Sequence, residues 1–356
     1  MTAASLWDRL SAGGLVEGEM PERKRAASPW FVRAMLGIAG WIGALFLIAF
    51  VAAAFSFIVD DAGTAALAGA ACCAAAFFLF RSFAGNDFAE QFGLVVSLVG
   101  QMLIVVGLGQ YLEPADAPLY FAVAAAEAVL ALAIPNFLHR VLATSGAAVA
   151  LALAVNQLEL HGLAAPLLSA ALAFVWLEPK RWAADGEIWR PVGYGLVLAL
   201  LLVETFRLFG AGALFGLNPE TPSWFGLYGP LLGRGLTAAV LVWAALVLSL
   251  REGRGSRISG LAAGVAILLA LISLTAPGLA SALLILLLGF AAGSRILAAL
   301  GILSLLGFVA HFYYSLHASL LEKSGILALS GLLLLAAHVA MRRFVPSTAE
   351  AEAGDA

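Results

Sequence analysis

The feature that most constrains this chain is the recurrence of uninterrupted apolar runs, each roughly 17–25 residues long, from Pro29 almost to the end. A helix rises 1.5 Å per residue, so about twenty residues cross the roughly 30 Å of hydrocarbon in a bilayer. Backbone groups in lipid must be bonded within the segment, and runs of this length achieve that as helices rather than barrel strands. The spans fall at approximately 31–58, 62–80, 90–112, 118–136, 139–158, 162–178, 191–210, 230–250, 257–275, 278–293, 296–316 and 322–342. The expected fold is all-α: a polytopic transmembrane helix bundle of about twelve helices. The count rests most heavily on residues 257–316, one near-continuous apolar run broken at Pro277-Gly278 and at Gly293-Ser294-Arg295.

Composition argues the same way. Hydrophobic residues make up 63% of the 356 and charged residues 12%, too few to cover a water-facing surface. Cys72 and Cys73 are adjacent inside an apolar run, which suits small core residues better than a disulfide, metal or redox pair.

The charges provide a separate test of the count. With a cytoplasmic N-terminus, sixteen of the nineteen Lys and Arg fall on the inner side, and only Arg207, Arg234 and Lys323 on the outer. The outer loops instead carry Asp60-Asp61, Glu113, Asp116, Glu159 and Glu220. This is the positive-inside bias, and it predicts an even number of helices with both termini cytoplasmic. The expected organisation is a cytoplasmic N-terminal tail at 1–29, a transmembrane domain at 30–343 and a disordered C-terminal tail at 344–356. The first apolar run begins only after Arg9, Arg23, Lys24 and Arg25, so the first helix is expected to act as its own insertion signal. The longest outer loop, 211–229, with Pro219, Pro222, Trp224 and Phe225, reads as a cap at the interface.

Polar groups at membrane depth are costly, which makes each a candidate for function. Glu127 sits near the middle of the fourth span and Gln101 near the middle of the third, with Glu90 three turns earlier on the same face. Removing a carboxyl group from water favours its neutral form. Glu127 is then either a proton or cation site, or a neutral acid bonded across a helix pair. Glu204 and Arg207 stand at i and i+3 in the seventh span, close enough for a self-neutralising pair or for an anion or partner site near the outer surface. His311, Tyr313, Tyr314 and His317 close the eleventh span on that outer side, opposite Glu322 and Lys323 at the start of the twelfth. Tyrosines at this depth are ordinary interface anchors, and the two histidines, six residues apart, share no helical face that would hold a metal. Gly37, Gly40 and Gly43, and Gly289 with Gly293, predict close helix packing. No Walker loop, G-x-S-x-G, H-E-x-x-H, C-x-x-C or dinucleotide fingerprint occurs, so no catalytic set, cofactor, metal or nucleic acid is implied.

Two stretches carry a family resemblance. One is Ser28-Pro29-Trp30-Phe31-Val32-Arg33 leading into Leu36-Gly37-Ile38-Ala39-Gly40-Trp41. The other is Tyr313-Tyr314-Ser315-Leu316, followed by Leu320-Leu321-Glu322-Lys323-Ser324 and Ser330-Gly331-Leu332. Both resemble the ends of the bacterial membrane family catalogued as domain of unknown function 4401. The resemblance implies a multi-pass protein of the inner membrane of Gram-negative bacteria. It also implies pairing with a second membrane protein that carries a periplasmic Gly-Asp-Tyr-type motif, and it assigns no catalytic residue. The expected role is thus the membrane subunit of an assembly with a partner membrane protein. The alternative is a carrier of a small solute or ion with Glu127 on its path, together with Gln101, Glu204 and Arg207.

Overall fold

The computed structural model describes residues 30–54, 60–112 except 84, 116–208, 224–251, 256–315 except 275, and scattered single positions toward either end. Among the described residues there are eleven α-helices and no strand. They are α1 (Trp30–Ala54), α2 (Ala62–Ser82), α3 (Asp87–Tyr111), α4 (Ala117–Ala133), α5 (Phe137–Gln157) and α6 (Ala164–Leu177). Then follow α7 (Pro179–Leu208), α8 (Trp224–Arg251), α9 (Ser256–Ser273), α10 (Leu279–Ala291) and α11 (Arg295–Ser315). Each matches one of the first eleven apolar runs in order. The twelfth, 322–342, falls almost wholly outside the described residues.

Among the described residues six helices are long and apolar enough to cross a membrane: α2, α3, α5, the Asp185–Leu208 part of α7, α8 and α11. The protein is therefore a helical membrane protein. Its surface confirms the solvent: Phe46 is 74% exposed, Leu250 72% and Phe290 70%, which water would not tolerate over so many helices.

Local signals explain the helix starts. Asp61, Asn86 and Asn136 each turn a side-chain oxygen onto the free N–H groups of the helix that follows. The ambiguous run divides where glycine permits a left-handed backbone. Gly278 (φ 82°) precedes α10, and Gly293 (φ 62°) turns the chain from α10 into α11.

Two boundaries differ from the sequence expectation. Helix α8 begins at Trp224, inside the expected 211–229 cap, with Pro230 in its interior. Trp224 packs on Phe225 and Tyr228, with ring centroids 5.0 and 5.5 Å away, and this aromatic cluster holds the turn ahead of the proline. Helix α7 begins at Pro179 rather than near 191, bending at Asp185, whose backbone is non-helical (φ −136°, ψ 46°).

Sequence neighbours pack as antiparallel pairs, with α2 against α3 the most extensive. A Cβ at Gly100 would lie 2.7 Å from Cys73 Sγ and from the Gly69 carbonyl, and one at Gly107 2.8 Å from the Ala62 carbonyl. These two helices meet backbone to backbone, so the absence of a side chain there is a packing requirement. Gly40 makes the expected close approach, since its Cβ would fall 2.9 Å from Gln91 Cβ on α3, whereas Gly43 faces open space. The main core joins α6, α7, α10 and α11 through Leu172, Val197, Leu200, Leu284, Ile285 and Leu297, all fully buried. Helix α8 closes this core from the side. Helices α6 and α10 have 14 and 13 residues, about 20 Å, and fall short of the hydrocarbon thickness. Their ends leave hollows in the bundle, and the cavities described below form there.

Candidate functional site

Glu127 lies in the middle of α4 and is 7% exposed. Its Oε2 is buried and, among the described residues, has no hydrogen-bond partner. The carboxyl sits against Gly146 of α5, where a Cβ would stand 3.4 Å from Glu127 Cδ and 3.5 Å from Oε2. The glycine thus gives the acid its room. On its other side Gly146 lines a cavity of about 490 Å³ between α5, α6, α7 and α8. The walls are apolar, with Val149, Leu202 and Phe206 among them, and the polar groups Asn156, His161 and Arg207 gather at the end away from Glu127. Asn156 Nδ2 is also buried without a partner. The cavity ends at the turn between α5 and α6, where Gly162 (φ 91°) lies directly on Gly229 and Gly233 of α8. No side chain fits between them.

A second polar group lies farther along the same face of α5. His139, seven residues before Gly146 and so two turns away, is fully buried. Its Nε2 is 3.2 Å from Ser97 Oγ and 3.4 Å from Gln101 Nε2, both on α3. Its backbone N–H donates to Asn136 Oδ1 at 2.9 Å, so the cap that starts α5 also sets the depth of the imidazole. Gln101 therefore meets His139. Glu90 accepts instead from the Gly85 N–H at 3.1 Å, near the start of α3.

Glu204 is also buried, and Ser281 Oγ of α10 donates to its Oε1 at 2.8 Å. Among the described residues no ion pair joins it to Arg207, which is exposed at the rim of the cavity. The separation follows from helix geometry: Glu204 faces α10 in the core, and the step of three residues turns Arg207 toward the cavity and the surface. Arg234 of α8 comes in beside them. Its Nη1 is 3.4 Å from the Leu274 carbonyl, and its Nε is buried without a partner. The void bounded by Glu204, Arg207, Arg234 and Ser281 is about 10 Å³, the size of a single water.

Tyr314 is 80% exposed at the end of α11 and stacks edge-on with Tyr313 at 5.5 Å, as an interface anchor does. His317, Glu322 and Lys323 lie outside the described residues. Among the described residues no three His, Cys, Asp or Glu side chains could hold a metal ion.

The sequence reading missed His139, Ser97, Ser281 and Arg234 as members of polar clusters. His139 precedes Arg140 at the start of a span, where an interfacial position is the ordinary expectation. A signal was available in Asn136, a cap residue whose helix starts inside the bundle. Ser97 and Ser281 carry no signal, since lone serines are common in membrane helices and become informative only opposite a partner.

The family model described as "Domain of unknown function (DUF4401)" matches residues 29–344, nearly the whole chain. No curated protein and no solved structure matches.

Proposed function

The chain belongs to the DUF4401 family, which has no assigned function, and from that premise we propose that it is a carrier of protons or small cations in the bacterial inner membrane, with Glu127 as the group that binds them. One observation carries this reading: Glu127 Oε2 is buried and unpartnered beside a cavity, whereas Glu204, equally buried, has its donor in Ser281. A carboxyl kept for architecture is bonded, as Glu204 is. One left unbonded costs stability, and the proposed compensation is the ion it takes up. Gly146 is the thin wall between acid and cavity, and the His139–Ser97–Gln101 group two turns away supplies the next polar station along α5.

The test is reconstitution in vesicles containing a trapped pH-sensitive dye, with a membrane potential imposed. Expected is a potential-driven change in internal pH, or a cation-dependent one, that disappears in Glu127→Gln and persists in Glu204→Gln. Equal traces from wild-type protein and Glu127→Gln would remove the carrier reading.

A second reading has its own support. Gly260 and Gly264, one turn apart on α9, are exposed, and a Cβ at either would meet nothing within 4 Å among the described residues. A bare small-xxx-small face of this kind is what a partner helix docks on. The partner in that reading is a second membrane protein with a periplasmic Gly-Asp-Tyr-type motif. It predicts stoichiometric co-purification in mild detergent, lost when Gly260 and Gly264 are changed to Leu.

A further inference from the structure

At the end of the bundle opposite the Asn156–Arg207 rim, the short helices α6 and α10 stop below their neighbours, and a cavity of about 1180 Å³ opens among the helix ends. Three arginines from three different helices line it: Arg190 of α7, Arg251 of α8 and Arg295 of α11. Arg251 is anchored by donating to the Leu177 carbonyl at the end of α6. Arg190 and Arg295 are exposed and make no hydrogen bond or ion pair among the described residues. One carboxylate, Glu187, shares the lining, so among the described residues the charge facing the cavity is three positive against one negative. A fourth guanidinium nearby is already engaged: Arg140 Nη1 donates to the Glu187 carbonyl at 3.0 Å and its Nε to the Ala131 carbonyl at 3.2 Å.

The floor carries further donors. Tyr194 Oη and Ser294 Oγ lie 2.9 Å apart, and Ser294 Oγ accepts from the Leu297 N–H at 3.3 Å at the start of α11. The first turn of α11 directs its positive dipole end at the same space. Gly293, in the left-handed region (φ 62°), brings the chain round with no side chain over that turn.

We propose that this cavity binds the phosphate of an anionic ligand, with Arg190 and Arg295 as the forks that grip it and the Tyr194–Ser294 pair and the α11 N-terminus beneath. Guanidinium matches phosphate oxygens two at a time, a geometry that ammonium cannot reproduce. A basic hollow between helix ends sits at headgroup depth, where the phosphate of an acidic phospholipid is the abundant anion. Free inorganic phosphate offers the same chemistry, and the experiment separates the two. The site is independent of the Glu127 reading: it lies at the other end of the bundle and shares no residue with that cavity.

The detergent-purified protein is mixed with phosphatidylglycerol, phosphatidylcholine or inorganic phosphate, and bound ligand is counted by native mass spectrometry. Expected is retention of phosphatidylglycerol over phosphatidylcholine, reduced at least about tenfold in the Arg190→Gln/Arg295→Gln double variant. The Arg190→Lys/Arg295→Lys variant keeps charge and solubility but lacks the forks, and should fall between the two. Arg81→Gln, outside the cavity, should bind as wild type does. Displacement of phosphatidylglycerol by millimolar phosphate, with phosphate itself bound, would assign the site to the free anion. Phosphate without effect would assign it to the lipid. Equal retention of both probes by wild type and the double Gln variant, with both proteins monodisperse, would overturn the proposal.

Discussion

Replacing Glu127 by Met should stabilise the protein, whereas the same change at Glu204 should destabilise it. Met approximates the length and volume of Glu and has no hydrogen bond to satisfy. At position 127 the substitution removes an oxygen that is buried without a partner, and an unsatisfied buried polar atom costs about 1–3 kcal/mol. That penalty disappears in Glu127→Met, and the Gly146 gap that holds the carboxyl still accommodates the thioether. At position 204 the substitution breaks the 2.8 Å bond from Ser281 and leaves a fully buried hydroxyl without its acceptor, a loss of about 1–3 kcal/mol. For a chain of this size each kcal/mol moves the melting temperature by roughly 2 °C. The two variants should therefore separate by about 4–12 °C in opposite directions around wild type. The assay is tryptophan-fluorescence melting in one detergent at one scan rate, because membrane proteins often unfold irreversibly. If Glu127→Met melts below wild type by as much as Glu204→Met does, the Glu127 carboxyl is bonded in the folded protein, and the inference from it to ion binding fails. If it is more stable and at the same time inactive in vesicles, position 127 shows the exchange of stability for function expected of a working site.

Gly100→Ala should lower stability by about 1–3 kcal/mol, because the new methyl group lands 2.7 Å from both Cys73 Sγ and the Gly69 carbonyl and forces α2 and α3 apart. A melting curve unchanged from wild type would show that these helices are not in backbone contact. Asn136→Ala should cost about 1 kcal/mol through loss of the α5 cap and should release His139 from its depth. The check is melting together with solvent exchange at the His139 ring, and continued protection of that ring would separate its position from the cap.

Much of this architecture was legible in the chain. Hydrocarbon allows almost no alternative to the helix, so among the described residues eleven of the twelve expected runs are helices, and Pro277-Gly278 and Gly293 broke the ambiguous region where they were expected to. Four of the arginines that the charge bias put on one side also lie together: Arg190, Arg251 and Arg295 line one cavity, and Arg140 bonds the Glu187 carbonyl beside it. Charge bias and segment length act locally and survive any arrangement of the helices.

The sites were legible only as single residues. Glu127, Gln101, Glu204 and Arg207 announced themselves by the cost of being polar in lipid, but a sequence does not state which face of each helix turns toward which neighbour. The i, i+3 spacing allowed Glu204 to meet Arg207; packing against α10 gave it Ser281 instead. Gln101 has His139, 38 residues on, because α3 and α5 converge at that depth. Glu127 Oε2 has no partner among the described residues, a fact no spacing rule contains, since it depends on what the adjacent helices fail to present. The hollows exist because α6 and α10 are several residues short, and their lining comes from helices distant in sequence. Sequence alone determined the solvent, the helices and the end of the bundle that gathers positive charge, because those follow from one segment meeting lipid. The tertiary structure alone decided which buried polar groups are bonded and which are left open, because that depends on several segments meeting one another.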